Sequence, residues 1–499
     1  MSNVNSETHF ANTPTLSIGR SKFERPFDLK TSFNVGDIVP IFFDQVVPGD
    51  SIKMRMSEVV RMMTPLVPVM DNLVLDTYFF YVPWRLLWEH TKQFVGENDS
   101  APWTNTVEYE IPQIEAPSNG WDVKSLAVYL GEPAGVPRLR TSALKFRAYC
   151  EIYNQWFRSE VTTAPVYVHK DDAVTYGKNP SELTENSDQT EYAEKGAKLL
   201  KACKTFDYFT SCLTSPQKGN AVNIPMGAAP ISFSEENYKY VPINTNATYN
   251  ISTAKINSQT AGSLSKLSNT AMTSVDNGNS YQEENTNLGA NKTYYMWADL
   301  ANVTGATITA LRQAFAIQKF YERAGLVGTR YGEVIRGHFS VTNPDYRNQI
   351  PEYLGGFRTP ITMNQSVQTS ATDGTSPQGN TAAYSVTVDR NDDLFSKSFT
   401  EWGVIMGVCV ARVQSHTYQQ GQNREWAKKK WTDFYWPEFA NLSNQPVYIK
   451  EIKANATGMQ DEVFGYQEAW AEMRYSPNMI TGELRSDFSQ PLDMWHYAD

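Results

Sequence analysis

Apolar and polar positions alternate with a period of two early in the chain and follow a helical period at several later places. Ile52, Met54 and Met56 alternate with Lys53, Arg55 and Ser57, which predicts a half-exposed strand. Residues 34–43 read as an earlier strand; Pro40 removes a ladder donor there and belongs at an edge or a bulge. Pro48-Gly49-Asp50 marks a turn. Residues 73–82 are apolar on both faces except at Asp76 and Thr77, the pattern of a central strand covered on both sides. Residues 84–95 then carry a helical stripe of Trp84, Leu87, Trp88 and Phe94, started by Pro83 and ended by Gly96. Three strands and one helix in residues 27–98 make this stretch the foundation of a large β-sandwich.

Downstream the pattern is mostly helical at first. Residues 122–130 predict a short helix. Residues 142–159 predict a longer one, with Leu144, Tyr149, Ile152, Tyr153 and Trp156 on one side and Cys150 as a small buried residue. Residues 308–326 predict an amphipathic helix with Leu311, Ala314, Phe315, Ile317 and Tyr321 inward and Arg312, Lys319, Glu322 and Arg323 outward. Residues 404–413 form the most hydrophobic strand, and residues 463–474 are a last strand candidate. The tail around Trp495 is apolar enough to dock on this chain or a neighbour.

Two polar excursions interrupt this pattern. Between residues 241 and 290, 23 of 50 residues are Ser, Thr or Asn, and none is Phe, Trp or Cys. Such a segment cannot build its own core. The chain returns to apolar residues at Tyr294-Tyr295-Met296-Trp297, so the excursion reads as a surface insertion spanning about 235–295, suited to recognition. Thr248, Tyr249, Asn257, Asn277 and Tyr281 are its candidate contact residues; the alternative is a loop without a role. A second excursion, about 364–383, reads as the tip of a long hairpin. The remainder is one domain, residues 27–499, preceded by an arm, residues 1–26. That arm is either an unattached terminus or an extended strap against a partner subunit or nucleic acid.

Composition narrows the function. The chain has 499 residues, 41% hydrophobic and 13% aromatic, which suffices for a substantial core. A net charge of −10 argues against a wholly nucleic-acid-binding surface but allows a local basic patch. Four cysteines without CxxC spacing suggest free thiols in a reducing compartment. Met1-Ser2-Asn3-Val4-Asn5 has neither the basic nor the apolar part of a secretory leader, so none is expected.

Catalytic patterns are missing. No phosphate-binding glycine loop and no HExxH occurs, and the six histidines are scattered, so no metal or other cofactor is expected. His90 reads as a structural histidine. Asp171-Asp172 and Asp392-Asp393 are adjacent carboxylates that strand geometry would point to opposite faces, which makes poor acid–base pairs. Arg424-Glu425-Trp426-Ala427-Lys428-Lys429-Lys430-Trp431 is the one basic cluster with interleaved aromatics. Arg424, Lys428, Lys429 and Lys430 could track a phosphate backbone while Trp431 or Trp426 stacks on a base. The simpler alternative is a solvated lysine face with both tryptophans packed inward. Arg20, Lys22 and Arg25 make the arm locally basic and are further candidate phosphate contacts.

Several motifs carry a family resemblance. Phe27-Asp28-Leu29-Lys30-Thr31-Ser32-Phe33-Asn34, Val82-Pro83-Trp84-Arg85-Leu86-Leu87-Trp88-Glu89, and Leu311-Arg312-Gln313-Ala314-Phe315-Ala316-Ile317-Gln318-Lys319-Phe320 with Thr329-Arg330-Tyr331 occur in both halves. In this order they resemble the major capsid protein of the Microviridae, and within it the gokushovirus subgroup of bacteriophages. The resemblance implies a mainly β, eight-stranded antiparallel jelly-roll sandwich with long inserted loops and a few helices. It implies a T=1 icosahedral homo-oligomeric shell around circular single-stranded DNA. The polar insertion would form threefold protrusions that attach to a host cell-surface receptor. Implied partners are an internal scaffolding protein, a DNA pilot protein and a small basic DNA-packaging protein. The implied location is the virion capsid, assembled in the host bacterial cytoplasm.

Two other classes compete. A jelly-roll carbohydrate-binding protein or enzyme would explain a sandwich with surface aromatics, but would need a sugar groove and a carboxylate pair. A cupin-type metalloenzyme would need histidines that converge. The structural, non-enzymatic reading is the expectation.

Overall fold

In the computed structural model, residues 18–63, 67, 69–97, 108–183, 192–222, 231–235, 275–276, 279–280, 294–298, 307–367, 369, 372, 374, 378–379, 381–414, 416–440 and 443–498 are described. Six strands organise them: β1 (Val39–Val46), β2 (Ser51–Arg61), β3 (Leu73–Pro83), β4 (Glu352–Pro360), β5 (Val386–Ser398) and β6 (Gly403–Val413). They make two antiparallel sheets, one in the order β1-β6-β3-β4 and one a β2-β5 ribbon. The chain changes sheet at the turn after β1, where Gly49 adopts φ +94° and its N–H donates to the Phe399 carbonyl at 2.7 Å. The fold is thus mainly β and antiparallel. The four-stranded sheet and the ribbon pack face to face, and smaller sheets, one of them three-stranded, lie beside them among the described residues, an arrangement compatible with a β-sandwich in which the expected eight-stranded pattern is not traced.

Period two decides what each face buries. From β3 and β6, Phe79, Tyr81 and Ile405 meet Ile52, Met54, Leu394, Phe395 and Phe399 of the ribbon and its following turn. The alternate residues Phe80, Val82, Met406, Val408 and Val410 pack under a layer built from residues 84–203. β3 is therefore central and covered on both faces, and β2 alternates between exposed and inward residues, as the sequence predicts. Pro40 sits on an edge strand at a register shift. The first strand begins later than residue 34, because residues 34–37 close a turn and Gly36 (φ +87°) donates to Ala411 instead.

The covering layer contains helix α1 (Leu144–Ile152), which continues as a wide turn to Phe157; Cys150 is buried in it. A short turn, Leu126–Tyr129, is capped by Ser125. The helix predicted over 84–95 is two turns, Trp84–Leu87 and Thr91–Phe94. Trp88 is extended between them, with its indole N–H donating to Asp172 at 2.5 Å, and the Glu89 N–H donates to the Lys170 carbonyl at 3.0 Å. These tertiary bonds outcompete helix continuation. Trp84, Leu87 and Trp88 are buried as expected, but Phe94 is not.

Helix α2 (Ile308–Val327) forms as predicted, capped by Thr307, whose hydroxyl accepts from the Ala310 N–H at 3.1 Å. α3 (Tyr331–Phe339) folds back on it: Phe320 stacks on His338 at 4.9 Å, and Arg323 donates to the Gly337 carbonyl. The expected burial of the α2 stripe is not found. No α2 residue is buried, and Phe315 is 64% exposed.

The polar excursions leave the sandwich through ribbons. Ile231–Glu235 pairs with Tyr294–Ala298, and Asn364–Val367 pairs with Thr381–Tyr384. The last strand is shorter than predicted, Val463–Gln467, because a tight turn occupies Ala471–Arg474. The tail docks on its own chain: Met70 N–H donates to the Trp495 carbonyl at 2.7 Å, and Tyr497 N–H to Asp71.

Candidate nucleic-acid interface and assembly surface

A satellite core of Tyr208, Phe209, Cys212, Val447 and Ala471 supports the segment that carries the basic cluster. Two buried acids beside it, Glu451 and Glu472, fix its first half. Arg424 donates to the Pro446 carbonyl at 2.7 Å and to Glu451 at 3.1 Å. Lys428 lies 3.7 Å from Glu472 and over the Phe434 ring. Burial pushes the Glu451 carboxyl up, against the pull of the Tyr448 N–H and Arg424. Arg424 and Lys428 are therefore neutralised where they stand. Removing either leaves a buried acid short of a partner, so their substitution reports on stability as much as on ligand binding.

Lys429 and Lys430 differ. Both are exposed, and their backbone N–H groups donate to Asp433 at 2.9 Å, which lowers the Asp433 carboxyl below its usual range. This bracket holds the two residues at the surface. Around them Trp426 is 87% exposed and Trp431 69%, with Phe434, Tyr435 and Trp436 also exposed. The reading with both tryptophans packed inward is overturned. Trp436 donates to the Trp431 carbonyl at 2.9 Å, and the two rings meet edge to face at 6.1 Å. The surface is a braced aromatic platform with two cations. Such an arrangement can stack unpaired bases and follow a phosphate backbone.

The arm contributes less than its composition suggests. Arg25 makes a two-point pair with Asp44 at 2.6 and 3.2 Å, Arg20 donates to the Gly49 carbonyl, and Glu24 pairs with Arg55. Phe27 packs edge-on against Phe42. The described part of the arm thus follows β1 and β2 of its own chain. Lys22 is exposed and has no ion pair among the described residues. No described contact joins the arm to the aromatic platform. Thr248, Tyr249, Asn257, Asn277 and Tyr281 lie outside the described residues.

Catalytic alternatives find little footing. A groove of about 580 Å³ runs past Tyr153, Cys203, Phe206 and Phe464, yet its lining holds no Asp, Glu or His. Burial raises the Cys212 thiol there to about 12, far from a reactive thiolate. Asp172 is occupied by Trp88 and His90, whose ring also stacks on Tyr109 at 4.5 Å, so His90 is structural. Asp392 pairs with Arg390 and Asp393 with Lys53 at the surface. Among the described residues, no group of three metal-capable side chains assembles, and no helix is long and apolar enough to cross a membrane.

A sheet core clad on both sides, with Phe315, Phe320 and Phe339 of the helices and Trp426 and Trp431 of the platform left exposed, fits a building block of an assembly. Sequence comparison gives the class its family. A family model described as "Capsid protein (F protein)" matches residues 11–499, and the chain belongs to that family of phage capsid proteins. Capsid protein VP1 of Bdellovibrio phage phiMH2K is 38% identical over 495 residues, covering 98% of this chain and 87% of the relative. VP1 of Spiroplasma virus 4 is 38% identical, covering 100% and 88%, and VP1 of Chlamydia phage 1 is 34% identical, covering 99% and 89%. The Microviridae resemblance read from the motifs holds.

Proposed function

We propose that this chain is the major capsid protein of a gokushovirus-like bacteriophage and builds a T=1 icosahedral shell around circular single-stranded DNA. The observation that carries the reading is the full-length kinship with capsid proteins. The exposed faces of α2 and α3 support it, because a lone chain gains nothing from leaving such apolar surface in water. In this reading the two sheets are the scaffold of a jelly roll that carries long inserted loops. The insertion about 235–295 serves as the threefold protrusion and host-attachment loop. The chain acts without catalysis, within the virion and its assembly in the host cytoplasm. Scaffolding, pilot and small basic DNA-packaging proteins are its partners.

The aromatic platform is the genome contact in this reading, with Lys429, Lys430, Trp426 and Trp431 as its working residues and Lys22 as an outlying cation. Lys429→Ala with Lys430→Ala tests it. Oligothymidine binding by the double variant is expected to lose about 1.4 from its logarithmic salt slope, roughly 0.7 per phosphate contact on single strands. Particles of the variant are expected to hold less DNA. An unchanged slope and normal DNA content would remove the platform from the genome-binding surface.

A further inference from the structure

Glu58 occupies a position that the strand pattern reserves for an apolar residue. Ile52, Met54, Met56 and Val60 share its inward face of β2, while its neighbour Val59 is 71% exposed. Glu58 itself is only 8% exposed, and its Oε1 has no hydrogen-bond partner. Directly across the ribbon stands Asp389, its register partner on β5. Two carboxylates opposite one another on an inward face repel, with little water to screen them.

We propose that Glu58 holds a proton opposite Asp389, and that with this proton in place the Thr77 and Thr359 hydrogen bonds latch the β2-β5 ribbon onto the four-stranded sheet. Thr359, on β4, is 1% exposed and donates to Asp389 Oδ2 at 2.9 Å. Thr77, on β3, donates to Glu58 Oε2 at 3.4 Å. Asp389 Oδ1 accepts the Arg390 N–H at 2.8 Å. Asp389 thus receives two donors, whereas Glu58 Oε1 receives none, and Glu58 is the carboxyl that carries the proton. The Thr77 and Thr359 bonds each join the ribbon to the sheet.

The surroundings leave the proton as the neutralising charge. From β6, Cys409 is the group that faces Glu58. Arg358 and Arg412 are turned to the other side of the sheet, where both engage Asp76. Burial, and then the charge of Asp389, raise the Glu58 carboxyl above its ordinary 4.5, with Thr359 and Thr77 pulling the other way. A carboxyl raised on folding stabilises fully below its unfolded value. That stability is lost as pH climbs from about 4.5 through the raised value. Ionisation releases the proton to solvent, sets two carboxylates face to face and loosens the ribbon. The latch is closed in acid and weakened toward alkaline pH.

Glu58→Gln removes the titrating group while keeping its shape. The unfolding rate of the full chain is expected to rise with pH through a step that the variant lacks, by about tenfold for each unit by which folding raises the carboxyl. Asp389→Asn is expected to move the step to lower pH without abolishing it. Infrared difference spectra of the wild-type chain across that pH step are expected to show a protonated-carboxyl band on its acid side that is absent from Glu58→Gln. If Glu58→Gln does not fold, the band in wild type and its behaviour in Asp389→Asn still decide. No protonated-carboxyl band, or an identical pH step in wild type and Asp389→Asn, would overturn the proposal.

Discussion

Phe315→Asp combined with Phe320→Asp is expected to abolish shell formation while the chain stays folded. These side chains are 64% and 54% exposed, so their replacement removes no buried contact within the chain. The 20-residue helix that carries them has no buried residue at all, although Phe320 keeps its stack on His338. In the shell reading the face is covered by a neighbouring subunit. Each buried phenylalanine then contributes roughly 1.5–3 kcal/mol per interface, and symmetry repeats the loss at every copy. Sedimentation velocity should show small species in place of particles, with an unchanged circular dichroism spectrum. Particles in wild-type yield would place the face outside the subunit contacts.

Arg147→Ala is expected to destabilise the chain by about 3–5 kcal/mol, the range for breaking a buried ion pair by removing one partner. Arg147 is fully buried on α1. It donates to the Leu87 and Asp171 carbonyls, both at 3.1 Å, and lies 3.6 Å from buried Glu194. Burial lowers the guanidinium, opposed by Glu194 and the Asp171-Asp172 pair. One side chain therefore pins the turn after β3, the loop at 171 and the segment at 194 to the same helix. The alanine variant leaves two carbonyls and part of Glu194 unsatisfied, though His169 still holds Glu194 at 2.6 Å. Denaturant unfolding measures the loss; a change below about 1 kcal/mol would show that water replaces the guanidinium at no cost.

The legible parts of the fold were those set by local period. β3 and β6 could be read because a short, nearly continuous apolar run bounded by turns is what a strand covered on both faces requires. α2 could be read from its 3.6-residue stripe, but the stripe does not say whether this chain or another covers it. The same ambiguity hid the aromatic platform: Trp426 and Trp431 are apolar in sequence, and the segment's tight turns, not its composition, turn them outward. The broken helix after Pro83 was illegible because its interruption depends on Asp172 and Lys170, more than 80 residues away. Charge runs misled for a related reason. Arg25, Arg424 and Lys428 look available in sequence, and their acidic partners Asp44, Glu451 and Glu472 become visible only in the fold. Glu58 offered one signal that could have been used, an acid on the apolar beat of a strand.

Cryo-electron microscopy of particles formed by this chain tests the central claim most directly. The account expects a closed T=1 icosahedral shell in which the α2 face is buried against a neighbouring subunit and the aromatic platform meets density on the inner surface. Homogeneous small particles that form no shell under any assembly condition, with the α2 face in solvent, would contradict it.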